Sequence, residues 1–99
     1  MFFKKQGAGA DWLVAGLGNP GKQYEGTRHN AGFDALDFIA RRWNAPTPRV
    51  KFEGLCAQVS VDGRKVILLK PQTFMNLSGR SIAAAANFYK IDPAHVIVL

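Results

Sequence analysis

The sequence predicts an α/β fold: a single domain in which helices flank a mixed β-sheet. Two observations carry this prediction. Short apolar runs alternate with stretches of helical periodicity, and two of the apolar runs are joined by the dipeptide Asp62-Gly63. Strand-like runs on both sides of an Asp-Gly pair predict a β-hairpin. The predicted order is therefore strand, helix, hairpin, helix, strand, which is typical of an α/β domain built around a mixed sheet.

The first strand and the first helix are separated by a long glycine-rich loop. Trp12-Leu-Val-Ala15 is a continuous apolar run that ends at glycines, which is typical of a buried strand. Residues 16–27 hold four glycines and a proline and predict a loop. From Asn30 onward the apolar residues recur at helical spacing. The segment Asn44-Ala-Pro46 ends this helix, because proline cannot continue its hydrogen bonding.

The hairpin comprises residues 52–61 and 66–69, and Pro71 is expected to end its second strand. A second helix is predicted from about Ser78, with the hydroxyl of Ser78 as its N-cap. Asp92-Pro93 then interrupts the helical pattern, and an apolar strand begins at Val96.

That last strand predicts that the sequence is truncated. A buried apolar strand rarely ends a chain, and residues 96–99 are all apolar. At the other end, residues 1–10 carry two glycines and two lysines and predict a loose lead-in, so that the domain itself begins at residue 11.

The net charge and the cysteine content indicate which kind of partner and which cellular compartment to expect. The formal net charge is +6 over 99 residues, which attracts polyanions, so nucleic acid is a reasonable partner. A protein that is merely basic fits this charge equally well. Cys56 is the only cysteine, which excludes an intrachain disulfide and fits a reducing compartment. No apolar run is long enough for a membrane span, so we expect a cytoplasmic protein without membrane association.

A dinucleotide-binding motif is present in spacing but lacks its context. Residues Gly16 to Gly21 fit the pattern G-x-G-x-x-G, which requires a helix that opens at the third glycine. The segment 22–26 that follows has no apolar stripe, and the acids at the expected distance, Asp34 and Asp37, lie in the predicted helix. We therefore predict no dinucleotide cofactor. The glycines instead permit a tight loop that presents Asn19 at the carboxyl edge of a strand.

Three polar residues lie where loops lead into helices. His29 precedes the first helix and is either a general base or an ordinary surface or capping histidine. Asn19 and Asn76 offer uncharged donors and acceptors, which suit the binding of a peptide backbone or a water. Asn76 is equally compatible with a helix cap. Phe74 and Met75, taken by residue type alone, are expected in the core.

No metal site is predicted. His29 and His95 are the only histidines, and no spacing of cysteine, histidine and acidic residues suggests a zinc site.

Two segments of the chain together resemble the signatures of bacterial peptidyl-tRNA hydrolases. The first is Val14–Gly21 with Tyr24 and Thr27–Gly32, and the second is Lys70–Gly79. Both occur in the family's order and spacing. The resemblance runs from about Trp12 to Leu99. It implies an enzyme that hydrolyses the ester bond between a peptide and tRNA and so recycles tRNA from peptidyl-tRNA released by ribosomes.

The resemblance also implies a role for each signature residue. His29 resembles the catalytic base that activates water, and Asn19 and Asn76 resemble the amides that position the peptide end and that water. The residues that line the site would be Tyr24, Asn30 and Met75. The implied reaction is an ester hydrolysis that uses no metal, no cofactor and no covalent intermediate.

Members of this family are much longer than this chain. Their aspartate that orients the histidine follows the strand near Val96, and their basic residues that hold tRNA come later still. We therefore expect residues 11–99 to be the N-terminal half of such a domain, with little activity on their own, and the full-length protein to be a monomer. A non-catalytic RNA-binding module and an inactive fragment remain alternatives. His29 together with two site asparagines favours the enzyme.

Overall fold

The computed structural model describes residues 9–99, so most of the predicted lead-in over residues 1–10 lies outside the described part of the chain. The helices and strands of the described residues are β1 Trp12–Ala15, α1 Ala31–Arg42, β2 Arg49–Lys51, β3 Gly54–Val61, β4 Arg64–Pro71, α2 Ser78–Phe88 and β5 Val96–Val98. Short 3-10 turns precede α1, α2 and β5.

The strands form one mixed sheet in the order β2-β3-β4-β1-β5. Strands β2, β3 and β4 are antiparallel neighbours, and β1 is parallel to both β4 and β5. The predicted hairpin and the predicted mixed sheet are therefore confirmed. Ala15 at the end of β1 lies level with Leu69 near the end of β4. Because these strands are parallel, the loops that follow them leave the sheet at the same edge.

The core has two layers, one on each face of the sheet. Ile67 and Leu69 of β4 pack toward α2 with Leu13 and Ala85, while Leu68 packs on the other face with apolar side chains of α1 and β1. Side chains alternate between the faces of a strand, so a strand covered on both sides is apolar throughout. This explains why β1 and β4 appear in the sequence as continuous apolar runs rather than as alternating ones.

The start of the hairpin differs from the prediction. Residues Phe52 and Glu53 were expected within a strand, but their φ angles are +57° and +56°, and they form a tight turn between β2 and β3. Strand β2 was not predicted at all. Strand β4 also continues through Pro71, which pairs with Gly54. A proline at the last position of a strand removes only one donor and has a φ that an extended backbone accepts.

The predicted N-cap at Ser78 is wrong. Ser78 already has helical angles (φ −59°, ψ −31°), and Leu77 is the residue that precedes α2. An N-cap requires a non-helical backbone from which the side chain reaches forward to free N–H groups. Here the turn Met75–Leu77 runs directly into α2, so Ser78 lies inside the helix and its Oγ is buried without a hydrogen-bond partner.

Two predictions for apolar positions have different outcomes. Cys56 is buried, as expected of a small core residue, and this burial raises the pKa of its thiol. Strand β5 forms where predicted, but it lies at the edge of the sheet, where Ile97 and Val98 are exposed. Within residues 9–99, no helix combines the length and the apolar character needed to cross a membrane.

Candidate active site

The two signature segments meet at the carboxyl edge of the sheet. The first follows β1 and contains Asn19, Tyr24 and His29, while the second follows β4 and contains Met75 and Asn76. Backbone hydrogen bonds join β1 to β4 up to that edge, where the Gly16 N–H donates to the Leu69 carbonyl at 2.9 Å. The parallel pairing of β1 and β4 thus brings together residues that are far apart in the sequence.

Asn19 links the two segments through hydrogen bonds. Its Oδ1 accepts a hydrogen bond from the Met75 N–H at 2.6 Å, and its own N–H donates to Oδ1 of Asn30 at 2.9 Å. Asn30 is only 6% exposed, so this chain of bonds is anchored in the interior. Three of the predicted site residues are therefore held in one arrangement. Since Asn19 Oδ1 is engaged, its Nδ2 is the polar atom left to donate to a ligand.

The glycines of the first signature permit this arrangement. A Cβ atom on Gly18 would lie 2.7 Å from Asn30 Oδ1, and one on Gly16 would lie 2.4 Å from the Gly32 carbonyl oxygen. Both glycines are thus required by the close approach of the loop to the start of α1. The third, Gly21, precedes a 3-10 turn of three residues rather than an α-helix. Packing against the start of α1 therefore accounts for Gly16 and Gly18, and a φ of +123° accounts for Gly21, so the glycine spacing needs no dinucleotide.

His29 lies on a short 3-10 turn, Arg28–Asn30, immediately before α1. Its imidazole is exposed and packs edge-to-face against Tyr24, with 6.0 Å between the ring centroids. Residues 24–30, which connect the two rings, are held by hydrogen bonds among themselves. Thr27 Oγ1 donates to the Tyr24 carbonyl at 2.6 Å, and the Asn30 N–H donates to the Thr27 carbonyl at 3.0 Å. The histidine is thus available to solvent while its backbone is anchored by buried Asn30.

The second signature is exposed at this edge. Phe74 is 61% exposed and Met75 is 36% exposed, so the expectation that both belong to the core is wrong. The reason is that the Met75 backbone is held by Asn19 beyond the end of β4, and neither Phe74 nor Met75 belongs to the two core clusters of the described residues. Asn76 is exposed on the turn Met75–Leu77, and no side chain caps α2. The capping role considered for Asn76 therefore has no support in the structure.

One charged pair beside the site was not predicted. Lys70 Nζ lies 3.0 Å and 3.2 Å from the two carboxylate oxygens of Asp37, and it also lies over the ring of Phe33 at 5.1 Å. The pair ties the end of β4 to α1, next to an open cleft of about 340 Å³ that Asn19 and Asn30 help to line. A lysine that closes an apolar run is the sequence signal for such a residue, but its partner cannot be read from local patterns.

Similarity to known proteins agrees with this geometry. The family model described as peptidyl-tRNA hydrolase matches residues 13–99. The chain belongs to this family. It is 55% identical to the peptidyl-tRNA hydrolase of Clostridium perfringens over 88% of this chain and 46% of that protein. It is also 55% identical to that of Beijerinckia indica over 87% of this chain and 43% of that protein.

A solved structure of the same family shares the fold. The crystal structure of peptidyl-tRNA hydrolase from Acinetobacter baumannii superposes with a TM-score of 0.83 at 38% identity, covering 89% of this chain and 45% of that one. The family resemblance and the predicted α/β class are thereby confirmed. The chain spans about half the length of the curated peptidyl-tRNA hydrolases that it matches.

Proposed function

We propose that the protein hydrolyses the ester bond between a peptide and tRNA, with peptidyl-tRNA as its substrate. The observation that carries this proposal is the hydrogen bond from the Met75 N–H to Asn19, because it joins both family signatures into one site. A protein that only binds RNA has no evident use for a histidine and two uncharged amides held at the carboxyl edge of a sheet. An ester hydrolase uses such a set directly.

His29 acts as the general base. Its exposed imidazole takes a proton from water as the water oxygen attacks the ester carbonyl, and the carbonyl electron pair moves onto oxygen. When that oxyanion collapses, the bond to the ribose oxygen of the tRNA breaks. The imidazolium returns the proton to this leaving oxygen. An ester of a peptide with ribose is activated enough for this sequence to need no covalent intermediate.

The asparagines supply donors without adding charge. The Nδ2 of Asn19 and the exposed amide of Asn76 donate to the peptide end of the substrate and to the ester carbonyl oxygen, on which negative charge develops. Asn30 supports Asn19 from the interior. Tyr24 restricts the His29 ring, and the flexible side chain of Met75 offers apolar contact to the peptide.

The same proposal extends to partners and location. The net charge of +6 favours the approach of the tRNA phosphates, and the proposed chemistry requires neither a metal nor a nicotinamide or flavin cofactor. We propose a cytoplasmic protein, because its substrate is produced by translation, and a monomer in the full-length form.

The proposed activity is tested with an N-blocked aminoacyl-tRNA and the full-length natural protein. We expect catalytic release of free tRNA, unchanged by added NAD and progressively weaker as salt rises, because phosphate contacts release counterions. A protein that binds the substrate tightly but leaves its ester intact is an RNA-binding module, and this outcome contradicts the proposal. Saturable binding of NAD would restore the dinucleotide interpretation of the glycine motif.

A further inference from the structure

The two hairpin turns of the sheet each contain two successive residues with positive φ but have very different sequences. The turn between β3 and β4 is Asp62-Gly63, with φ angles of +51° and +79°. The turn between β2 and β3 is Phe52-Glu53, with φ angles of +57° and +56°. Asp-Gly is a preferred pair for two successive left-handed residues, whereas phenylalanine and glutamate are disfavoured there. The second turn must therefore be held by its surroundings.

Hydrogen bonds from outside the hairpin hold this turn. The buried hydroxyl of Ser81 donates to the Phe52 carbonyl at 2.6 Å, and the Gln72 N–H donates to the Glu53 carbonyl at 2.9 Å. Arg80 donates through Nη2 and Nε to Glu53 Oε1, at 2.6 Å and 3.2 Å. The ring of Phe52 packs against aromatic side chains at the end of α2. Both residues of the turn are thus engaged by backbone and by side chain.

The partners of the turn bracket the second signature. Gln72 is the first residue after β4, while Arg80 and Ser81 lie in the first turn of α2. Met75 and Asn76 lie between these attachment points. The turn is therefore hydrogen-bonded to both ends of the segment 72–81, and Asn19 is hydrogen-bonded to Met75 in its middle.

The segment 72–81 has backbone hydrogen bonds of its own, in the turn Met75–Leu77 and at the start of α2, but few side chains that anchor it. Phe74 and Leu77 are exposed, so they do not anchor it in the core. The hydroxyls of Thr73 and Ser78 are buried without any hydrogen-bond partner, so they do not secure it either. Attachments from outside the segment therefore help to determine the position of Asn76, together with the turn Met75–Leu77 and the start of α2.

We propose that the Phe52–Glu53 turn is a positioning device for the segment that carries Met75 and Asn76, with Glu53, Arg80 and Ser81 as positioning residues. Within the described residues 9–99, no hydrogen bond or ion pair joins the turn to His29 or Asn19. The turn acts by fixing the position of the Asn76 amide. The expected effect on catalysis assumes the proposed hydrolase function. A small displacement of a hydrogen-bond donor has a large effect on rate, because the donor must lie within bonding distance of the oxygen on which negative charge develops in the transition state.

The test compares Glu53→Ala, Arg80→Ala and the double variant in the full-length natural protein. The matched control is Asp62→Ala, which places alanine at a left-handed residue of the other turn, with a φ of +51° against +56° at Glu53. We expect each single variant at the Glu53–Arg80 pair to lower kcat about tenfold with KM nearly unchanged. The double variant should be no worse than either single one, because the two side chains act as a unit. The control should keep the wild-type kcat.

A second measurement separates positioning from general stability. Hydrogen exchange of the Met75 amide, which Asn19 protects, should accelerate in Glu53→Ala and stay unchanged in Asp62→Ala. Equal exchange and equal kcat in the two alanine variants would overturn the proposal. Exchange does not depend on turnover, so it decides the positioning role even if the wild-type protein fails to hydrolyse peptidyl-tRNA.

Discussion

Replacing His29 with alanine is expected to lower the rate of peptidyl-tRNA hydrolysis in the full-length protein by about 100-fold or more, the usual scale for a lost general base. The side chain is exposed on a 3-10 turn and makes an edge-to-face contact with Tyr24. The free energy of unfolding should therefore change little. Single-turnover hydrolysis under saturating protein, together with a thermal melt, separates these two effects.

The chain provides a matched control in its other histidine. The His95 ring stacks on Trp12 with 4.2 Å between centroids, and its Nδ1 lies 3.0 Å from the Asp11 carbonyl oxygen. His95→Ala should lower the melting temperature somewhat and leave the hydrolysis rate unchanged, because its ring packs elsewhere in the fold. Equal rates in both histidine variants would remove His29 from the mechanism.

Replacing Asn19 is expected to have the second large effect. Asn19→Ala removes both the acceptor for the Met75 N–H and the Nδ2 donor to the substrate, and we expect a loss of about 100-fold, comparable to that of an oxyanion donor. Asn19→Asp separates these contributions. The carboxylate keeps an acceptor for Met75 but loses the donor and places negative charge near the developing oxyanion. Its activity should be as low as that of the alanine variant.

Asn87→Ala on the exposed surface of α2 is the matched control for these variants and should leave both the rate and the Met75 amide unaffected. The Met75 amide should exchange quickly in Asn19→Ala and slowly in Asn19→Asp. If Asn19→Asp retains wild-type turnover, the Nδ2 donor has no catalytic role and Asn19 only joins the two segments.

The sequence predicted the elements that have strong local signals. Trp12–Ala15 and the hairpin around Asp62-Gly63 formed as expected, because continuous apolar runs and a turn-specific dipeptide encode them locally. Strand β2 and its turn were missed. Three residues are too few to show a period, and Phe52-Glu53 carries no preference for a left-handed backbone. That turn depends on partners from another part of the chain, which a local pattern cannot reveal.

The candidate site was predicted as a set of residues but not as an arrangement. The family signatures identified His29 and Asn19, yet the bond from the Met75 N–H to Asn19 spans 56 positions in sequence. Only the parallel pairing of β1 with β4 creates it. The exposure of Phe74 was also missed, because residue type alone predicts that a phenylalanine is buried in the core. The Lys70–Asp37 pair likewise depends on how α1 crosses the sheet.

The most direct test of the proposed ester hydrolysis measures which product receives the oxygen atom of water. A single turnover of the full-length protein on N-blocked aminoacyl-tRNA in ¹⁸O-labelled water should place one labelled atom in the carboxylate of the released acyl group. The terminal ribose of the tRNA should carry no label, because water attacks the carbonyl and the ribose oxygen leaves. An intact ester after prolonged incubation, or label in the tRNA rather than in the carboxylate, would contradict ester hydrolysis at this site.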